Sequence, residues 1–113
     1  MSRKITIIGG SEFIGTSLCR QLELKQKDFE IIGIKMSKQF LEKCKIADVR
    51  NVETLRATIT GDIVVNLAAI HRDDVRDMDK YEKTNVGGAE NITQICKEKN
   101  ICKIVLINQT IIA

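Results

Sequence analysis

The 113-residue chain predicts an α/β fold, one domain (1–113) built on a parallel sheet of about five strands in the order 3-2-1-4-5. Three observations carry this. Short runs that are apolar on both faces alternate with segments of helical period. The first run ends directly in glycines that open such a segment. No proline, internal repeat or Gly/Ser linker divides the chain.

Lys4 to Ile8 is a short isoleucine-rich run and reads as the first strand. Phe13, Ile14, Leu18 and Leu22 then recur at helical spacing. Glu30 to Ile34 is the second strand. A polar stretch containing Met36 and Phe40 leads to a short third strand near Lys45 to Ala47, and Val52 to Ile59 reads as a short helix. "DIVVNLAA" is a strong fourth strand. Tyr81 to Lys99 carries Asn85, Ala89, Ile92 and Cys96 on one face of a longer helix, and "KIVLI" from Lys103 is the fifth strand.

Composition excludes several classes of function. Eighteen basic against 15 acidic residues give a net charge of +3, and the lysines are scattered, so neither nucleic acid nor a membrane surface is an expected partner. At 4% aromatic residues, the chain lacks platforms for stacking bases. The four cysteines (Cys19, Cys44, Cys96, Cys102) show no Cys-x-x-Cys spacing, and His71 is the one histidine, so no metal site is expected. The apolar run after Met1 is too short for a signal peptide or a membrane span. A reducing cytoplasm is the expected compartment.

The turn "IIGGSEFIG" concentrates the chemistry. Gly9 follows a strand directly, and Gly15 falls in the first turn of a helix, where a side chain would hold helix and sheet apart. Backbone N–H groups at such a helix start, with the positive end of the helix dipole behind them, suit a pyrophosphate. The alternative is a plain strand-to-helix turn that uses glycine for its geometry.

"GGSEFIG", "ADVRN", "VVNLAAIHRDDV" and "YEKTNVGGAENI", in this order, resemble successive landmarks of the extended short-chain dehydrogenase/reductase family, in particular its nucleoside-diphosphate-sugar epimerases and dehydratases. The resemblance runs from residue 4 to about 107. It implies a Rossmann-like domain that binds NAD or NADP. It also implies transient oxidation of a nucleoside-diphosphate sugar by that dinucleotide, with a serine or threonine and a Tyr-x-x-x-Lys pair as the catalytic group.

By that resemblance Gly9, Gly10, Phe13, Ile14 and Gly15 form the pyrophosphate turn. Glu12 departs from it, because the family has glycine there. Two unit charges about 6 Å apart repel by about 3 kcal/mol at an effective dielectric of about 20. Two readings stand: Glu12 occupies the anion site of its own helix, or it turns to water and leaves the loop intact.

Lys35, twenty residues after Gly15, stands where a carboxylate would select NAD, with Ser37 and Lys38 following. A cation there favours NADP over NAD; a solvated lysine in a polar loop is the alternative. Asp48 and Val49 match the pair that contacts adenine, although Asp48 could instead serve the local turn before the next helix.

Leu67, Ala68, Ala69, Ile70 and His71 match the stretch beneath the nicotinamide ribose, with His71 a contact residue or a functionless surface histidine. Thr84 and Asn85 match the helix positions that face the cofactor. Asp73 and Asp74, beside Arg72 and Arg76, read as a solvated ion-pair cluster.

Tyr81 is followed four residues on by Asn85, so the chain has no Tyr-x-x-x-Lys. Gln109 falls where the family has its catalytic serine or threonine, with Thr110 one residue late. The expectation is a cofactor-binding N-terminal part, truncated after strand five and inactive alone. Its last strand would be exposed for self-association. A non-catalytic NADP-binding regulatory module and a degraded reading frame are the alternatives.

Overall fold

Lys4–Ile8 forms β1 because its isoleucines suit a pleated surface that is covered on both sides: Ile7 and Ile8 point to opposite faces, and both are fully buried. The computed structural model describes residues 3–9, 13–33, 39–67 and 87–106, with backbone alone for residues 13–15 and 106. The helix α1 spans Phe13–Leu24, and β2 spans Asp28–Gly33. A single 3₁₀ turn at Leu41–Lys43 leads into β3, Cys44–Ile46. Then come α2 (Val52–Thr58), β4 (Ile63–Asn66), α3 (Gly88–Glu98) and β5 (Lys103–Leu106).

All four strand pairings are parallel, and the sheet order is β3-β2-β1-β4-β5, as the sequence predicts. The elements agree with the expected ones to within about two residues. β2 begins at Asp28, ahead of the expected Glu30, and the 3₁₀ turn after Phe40 was not foreseen. The expected start of the last helix, Tyr81 to Val86, lies outside the described residues.

The two faces of the sheet carry separate cores. On one, Ile8, Ile32, Val64, Leu55, Ile59, Ile92 and Ile95 pack with α2 and α3. On the other, Ile7, Ile31, Val65, Leu67 and Phe29 pack with Cys19 of α1 and with Phe40, whose ring meets Phe29 edge to face at 5.9 Å.

Helix ends are set by local chemistry. Asn51 caps α2 by accepting from the Glu53 amide at 3.0 Å. The chain leaves α1 and α3 through Gln26 and Asn100, both left-handed, with the next amide reaching back to Leu22 and Cys96 at 2.9 and 2.8 Å. Arg56 of α2 grips both Glu98 oxygens of α3 at 2.8 and 2.9 Å and tethers the two helices at the surface.

Candidate functional site

In the order β3-β2-β1-β4-β5 the chain runs outward one way from β1 to β3, then returns past β1 to β4 and β5. Connections diverge at the carboxyl ends of β1 and β4, and ligands of open parallel sheets bind in the crevice this opens. The site is therefore sought where Ile8, Gly33, Ile46 and Asn66 end their strands.

Gly9 leaves β1 with φ of 84°, a left-handed conformation that glycine adopts without a steric penalty. Its amide still donates to Ile32 at 2.7 Å, and the Leu67 amide donates to Ile8 at 2.7 Å, so the sheet stays bonded up to its rim. From this turn the chain enters α1 at Phe13, which places the positive end of that helix at the same rim. Gly9 and the backbone at the start of α1 thus lie at the same rim of the sheet. Gly10 and Glu12 lie outside the described residues, so the two readings of Glu12 stay as they are.

Among the described residues, the loop after β3 carries a dense set of hydrogen bonds at the rim. Asp48 Oδ1 accepts from the Arg50 amide at 2.9 Å and from Arg50 Nε at 3.0 Å, while Oδ2 accepts from the far guanidinium nitrogen at 2.8 Å. Thr54 Oγ1 accepts from the Asp48 amide at 3.1 Å. Asn91 of α3 donates from Nδ2 to the Val49 carbonyl at 2.9 Å. Gly88 brings α3 against Val49 so closely that a Cβ there would lie 2.9 Å from Val49 Cγ2.

Asp48 thus does take part in local turn chemistry, although the cap of α2 is Asn51. Hydrogen bonds from Arg50 hold its carboxyl below the usual range against a smaller opposing effect of burial. What it presents at the rim is a fixed, ionised acceptor.

Leu67 follows β4 at the same edge, but its side chain is buried in the core beneath α1. Any contact it makes with a ligand is through backbone. Lys35, Ala68, Ala69, His71, Thr84 and Asn85 lie outside the described residues, as do Asp73, Asp74, Gln109 and Thr110. Of the expected set, the structure brings Gly9, the first turn of α1, Asp48, Val49 and Leu67 to one edge of the sheet.

Two features went unread in the sequence. One is Arg50, recognisable in hindsight as an arginine two residues after an aspartate at a strand end. The other is Glu30, a carboxylate buried among apolar strands at 2% exposure. It accepts from Lys45 Nζ at 2.7 Å, Thr60 Oγ1 at 2.7 Å, the Thr60 amide at 2.8 Å and Thr6 Oγ1 at 2.5 Å. Glu30 lies toward the amino-terminal end of the sheet, away from the rim, and anchors the loop between α2 and β4.

Near it, at the amino-terminal edge, a cleft of about 370 Å³ opens between Arg3, Asp62, Lys99 and Lys103. Lys99 is occupied there by the carbonyls of Arg56 and Ile59.

Other chemistries find no support among the described residues. No group of three or more metal-ligating side chains occurs, and no helix is long and apolar enough to cross a membrane. None of the four cysteines forms a disulfide. Burial above all, with Cys44 and Glu23 adding, pushes the Cys19 thiol up to about 11, which makes it a poor nucleophile.

Comparison with known proteins fits this geometry. Residues 5–108 match the family described as NAD dependent epimerase/dehydratase. A curated relative from Escherichia coli O157:H7, N-acetyl-alpha-D-glucosaminyl-diphospho-ditrans,octacis-undecaprenol 4-epimerase, is 36% identical over 98% of this chain. This chain spans 33% of that relative's length.

Among solved structures, the UDP-N-acetylglucosamine 4-epimerase of Bacillus cereus superposes over 93% of this chain and 36% of its own, with a TM-score of 0.78 and 24% identity. The Bifidobacterium longum UDP-glucose 4-epimerase, solved with NAD+ and UDP, gives 0.79 at 20% identity over 91% of this chain and 36% of its own. These structural likenesses show the fold. With the family match over nearly the whole length, the chain belongs to the NAD dependent epimerase/dehydratase family.

Proposed function

We propose that this chain is the dinucleotide-binding N-terminal part of an epimerase or dehydratase acting on a nucleoside-diphosphate sugar. In this reading the cofactor lies across the carboxyl ends of β1 and β4. The observation that carries it is the conjunction, at one rim, of Gly9 at φ 84° before α1 and the fixed carboxylate of Asp48 after β3.

Gly9, Gly10 and the first turn of α1 hold the pyrophosphate. Asp48 accepts from the adenine amino group beside the Val49 amide. Lys35, two positions beyond Gly33 in the sequence, pairs with a 2′-phosphate and favours NADP over NAD. Ala68, Ala69 and His71, with Thr84 and Asn85, border the nicotinamide half. The cofactor supplies the hydride acceptor, and this part of the protein binds and orients it.

Catalysis on the sugar falls to residues that these 113 do not include. Tyr81 has no lysine four positions on, so this part alone is proposed to be inactive. The same feature favours a second reading, a non-catalytic module that binds NADP.

Thermal unfolding with NADP and NAD titrated separately tests the binding reading. Ligand at about 100 times its dissociation constant stabilises the folded state by about 2.7 kcal/mol, which raises the midpoint of a domain this size by on the order of 10 °C. A larger shift with NADP than with NAD, reversed in Lys35→Asp, is expected. A cooperative melt unmoved by either dinucleotide at millimolar concentration would overturn the proposal.

A further inference from the structure

We infer that Arg50 is a positioning residue for adenine recognition: its guanidinium locks the Asp48 carboxylate in the one orientation that leaves an acceptor site open to the base. The inference rests on the proposed role of Asp48 and adds a residue to it.

The geometry is specific. A carboxylate offers about four acceptor sites. Oδ1 uses two of these, for the Arg50 amide at 2.9 Å and Nε at 3.0 Å. Oδ2 takes the far guanidinium nitrogen at 2.8 Å, with Nε at a longer 3.2 Å. The side-on fork therefore fills both sites of Oδ1 and mainly one site of Oδ2, and the remaining Oδ2 site can accept from a base.

The backbone of the loop is fixed independently. Thr54 binds the Asp48 amide and carbonyl, at 3.1 and 3.0 Å, and Asn91 binds the Val49 carbonyl. What remains to be set is the rotation of the carboxylate. The Arg50 amide fixes one oxygen, and only the guanidinium engages both. A planar fork does this as a point charge cannot. Both side chains are about half or one-third exposed, so the pair adds little to folding and its effect falls on the ligand.

Adenine carries an exocyclic amino donor where hypoxanthine carries a carbonyl acceptor. A carboxylate oriented toward that position accepts from the first and repels the second. Titration calorimetry of the purified chain with NAD and with nicotinamide hypoxanthine dinucleotide, repeated on Arg50→Gln, Arg50→Lys and Asp48→Asn, measures this selectivity.

The unaltered chain is expected to prefer NAD by tenfold or more, and Asp48→Asn to abolish most of that preference. Arg50→Gln should weaken NAD five- to tenfold while leaving the hypoxanthine dinucleotide within about twofold, and Arg50→Lys should not restore the preference. Melting midpoints should stay within about two degrees of the parent. General damage to the loop would instead weaken both dinucleotides equally, which would overturn the inference. So would an Arg50→Gln variant that keeps full preference or binds NAD more tightly, since the guanidinium would then be idle or a competitor. In these cases the cofactor reading stands. If the unaltered chain binds neither of these dinucleotides nor NADP, that reading falls and this inference falls with it.

Discussion

Glu30 and Thr6 face each other across β2 and β1, and the Thr6 hydroxyl donates to Glu30 Oε2 at 2.5 Å on the same face as Ile8 and Ile32. The Thr6 oxygen in turn accepts from the Gly61 amide at 2.9 Å, and Thr60 gives Glu30 both its amide and its hydroxyl. One carboxylate thus ties the loop between α2 and β4 to the middle of the sheet. Lys45, and Lys4 at 3.4 Å, supply the countercharge.

Glu30→Gln keeps the shape but turns an amide NH₂ toward either Lys45 Nζ or the Thr60 amide, neither of which can accept. A loss of about 2–3 kcal/mol is expected, read as a lower denaturant midpoint at unchanged slope. The pH dependence has a definite sign. Burial raises the Glu30 pKa, but hydrogen bonds from Lys45, Thr6 and Thr60 together outweigh it and bring it from 4.5 down to about 2.

A carboxyl more acidic in the folded state lends stability above its unfolded value and loses it as pH falls. The parent should therefore weaken between about pH 4.5 and 2. The variant should lose much of that slope, leaving the part due to the more exposed Glu98, which is lowered to about 2 mainly by Arg56, and to Asp48, which Arg50 lowers. An acid limb of equal steepness in both proteins would count against Glu30 as its source.

Gly61 has no room for a side chain. A Cβ there would meet the Lys4 carbonyl and the Thr6 amide, each at 2.9 Å, and press on the Thr6 hydroxyl. Backbone neighbours cannot rotate away as a side-chain tip can. Gly61→Ala should cost about 3 kcal/mol, at the upper end for overpacking, because it also disturbs the Thr6 link to Glu30. Gly87→Ala, with open space around it, is the control and should be near neutral. Equal melting points for the two variants would refute the steric account.

Gly88 and Val49 make a contact whose cause can be separated by a double mutant. Gly88→Ala should destabilise by about 1–2 kcal/mol, since its new methyl would sit 2.9 Å from Val49 Cγ2. In the Val49→Ala background the 2.9 Å contact is gone and the Val49 Cβ at 3.2 Å remains, so the same substitution should cost less than about 1 kcal/mol. Additive effects would mean that helix propensity or the cap, not this contact, governs the site.

These contacts mark the boundary of what the sequence carries. The order of the sheet was legible because runs such as Ile5 to Ile8 and Ile63 to Val65 are apolar on both faces, and a parallel strand order follows from few topologies. That a glycine turn follows β1 was legible because an apolar run ends directly in Gly9, whereas the left-handed φ of 84° came only with the structure. Glu30 was not, because a carboxylate inside an apolar run signals nothing until Lys45 and Thr60, fifteen and thirty residues on, are brought beside it. Arg50 was missed for the opposite reason. Its partner is two residues away, but a local pair reads as ordinary turn chemistry until the loop is seen to stand at the carboxyl edge. The 3₁₀ turn at Leu41–Lys43 lacked a periodic signal because one helical turn is shorter than the pattern that reveals it.

Asn91 offers a test of whether that loop is preorganised for binding. Its Nδ2 donates to the Val49 carbonyl at 2.9 Å, which holds the loop after β3 against α3. Asn91→Ala removes one net hydrogen bond, so stability should fall by about 1 kcal/mol. For a protein stable by several kcal/mol that loss leaves well over nine-tenths of the molecules folded at 25 °C, so it does not by itself weaken a ligand. Any fall in dinucleotide affinity at that temperature must come from the loop, which the ligand would then have to order at its own expense. A three- to tenfold weaker NAD dissociation constant by calorimetry is expected, with Thr93→Ala on the exposed face of α3 unchanged. An Asn91→Ala variant that melts earlier but binds NAD as the parent does would show that the loop holds its binding geometry without α3, through Thr54 and Asn51 alone.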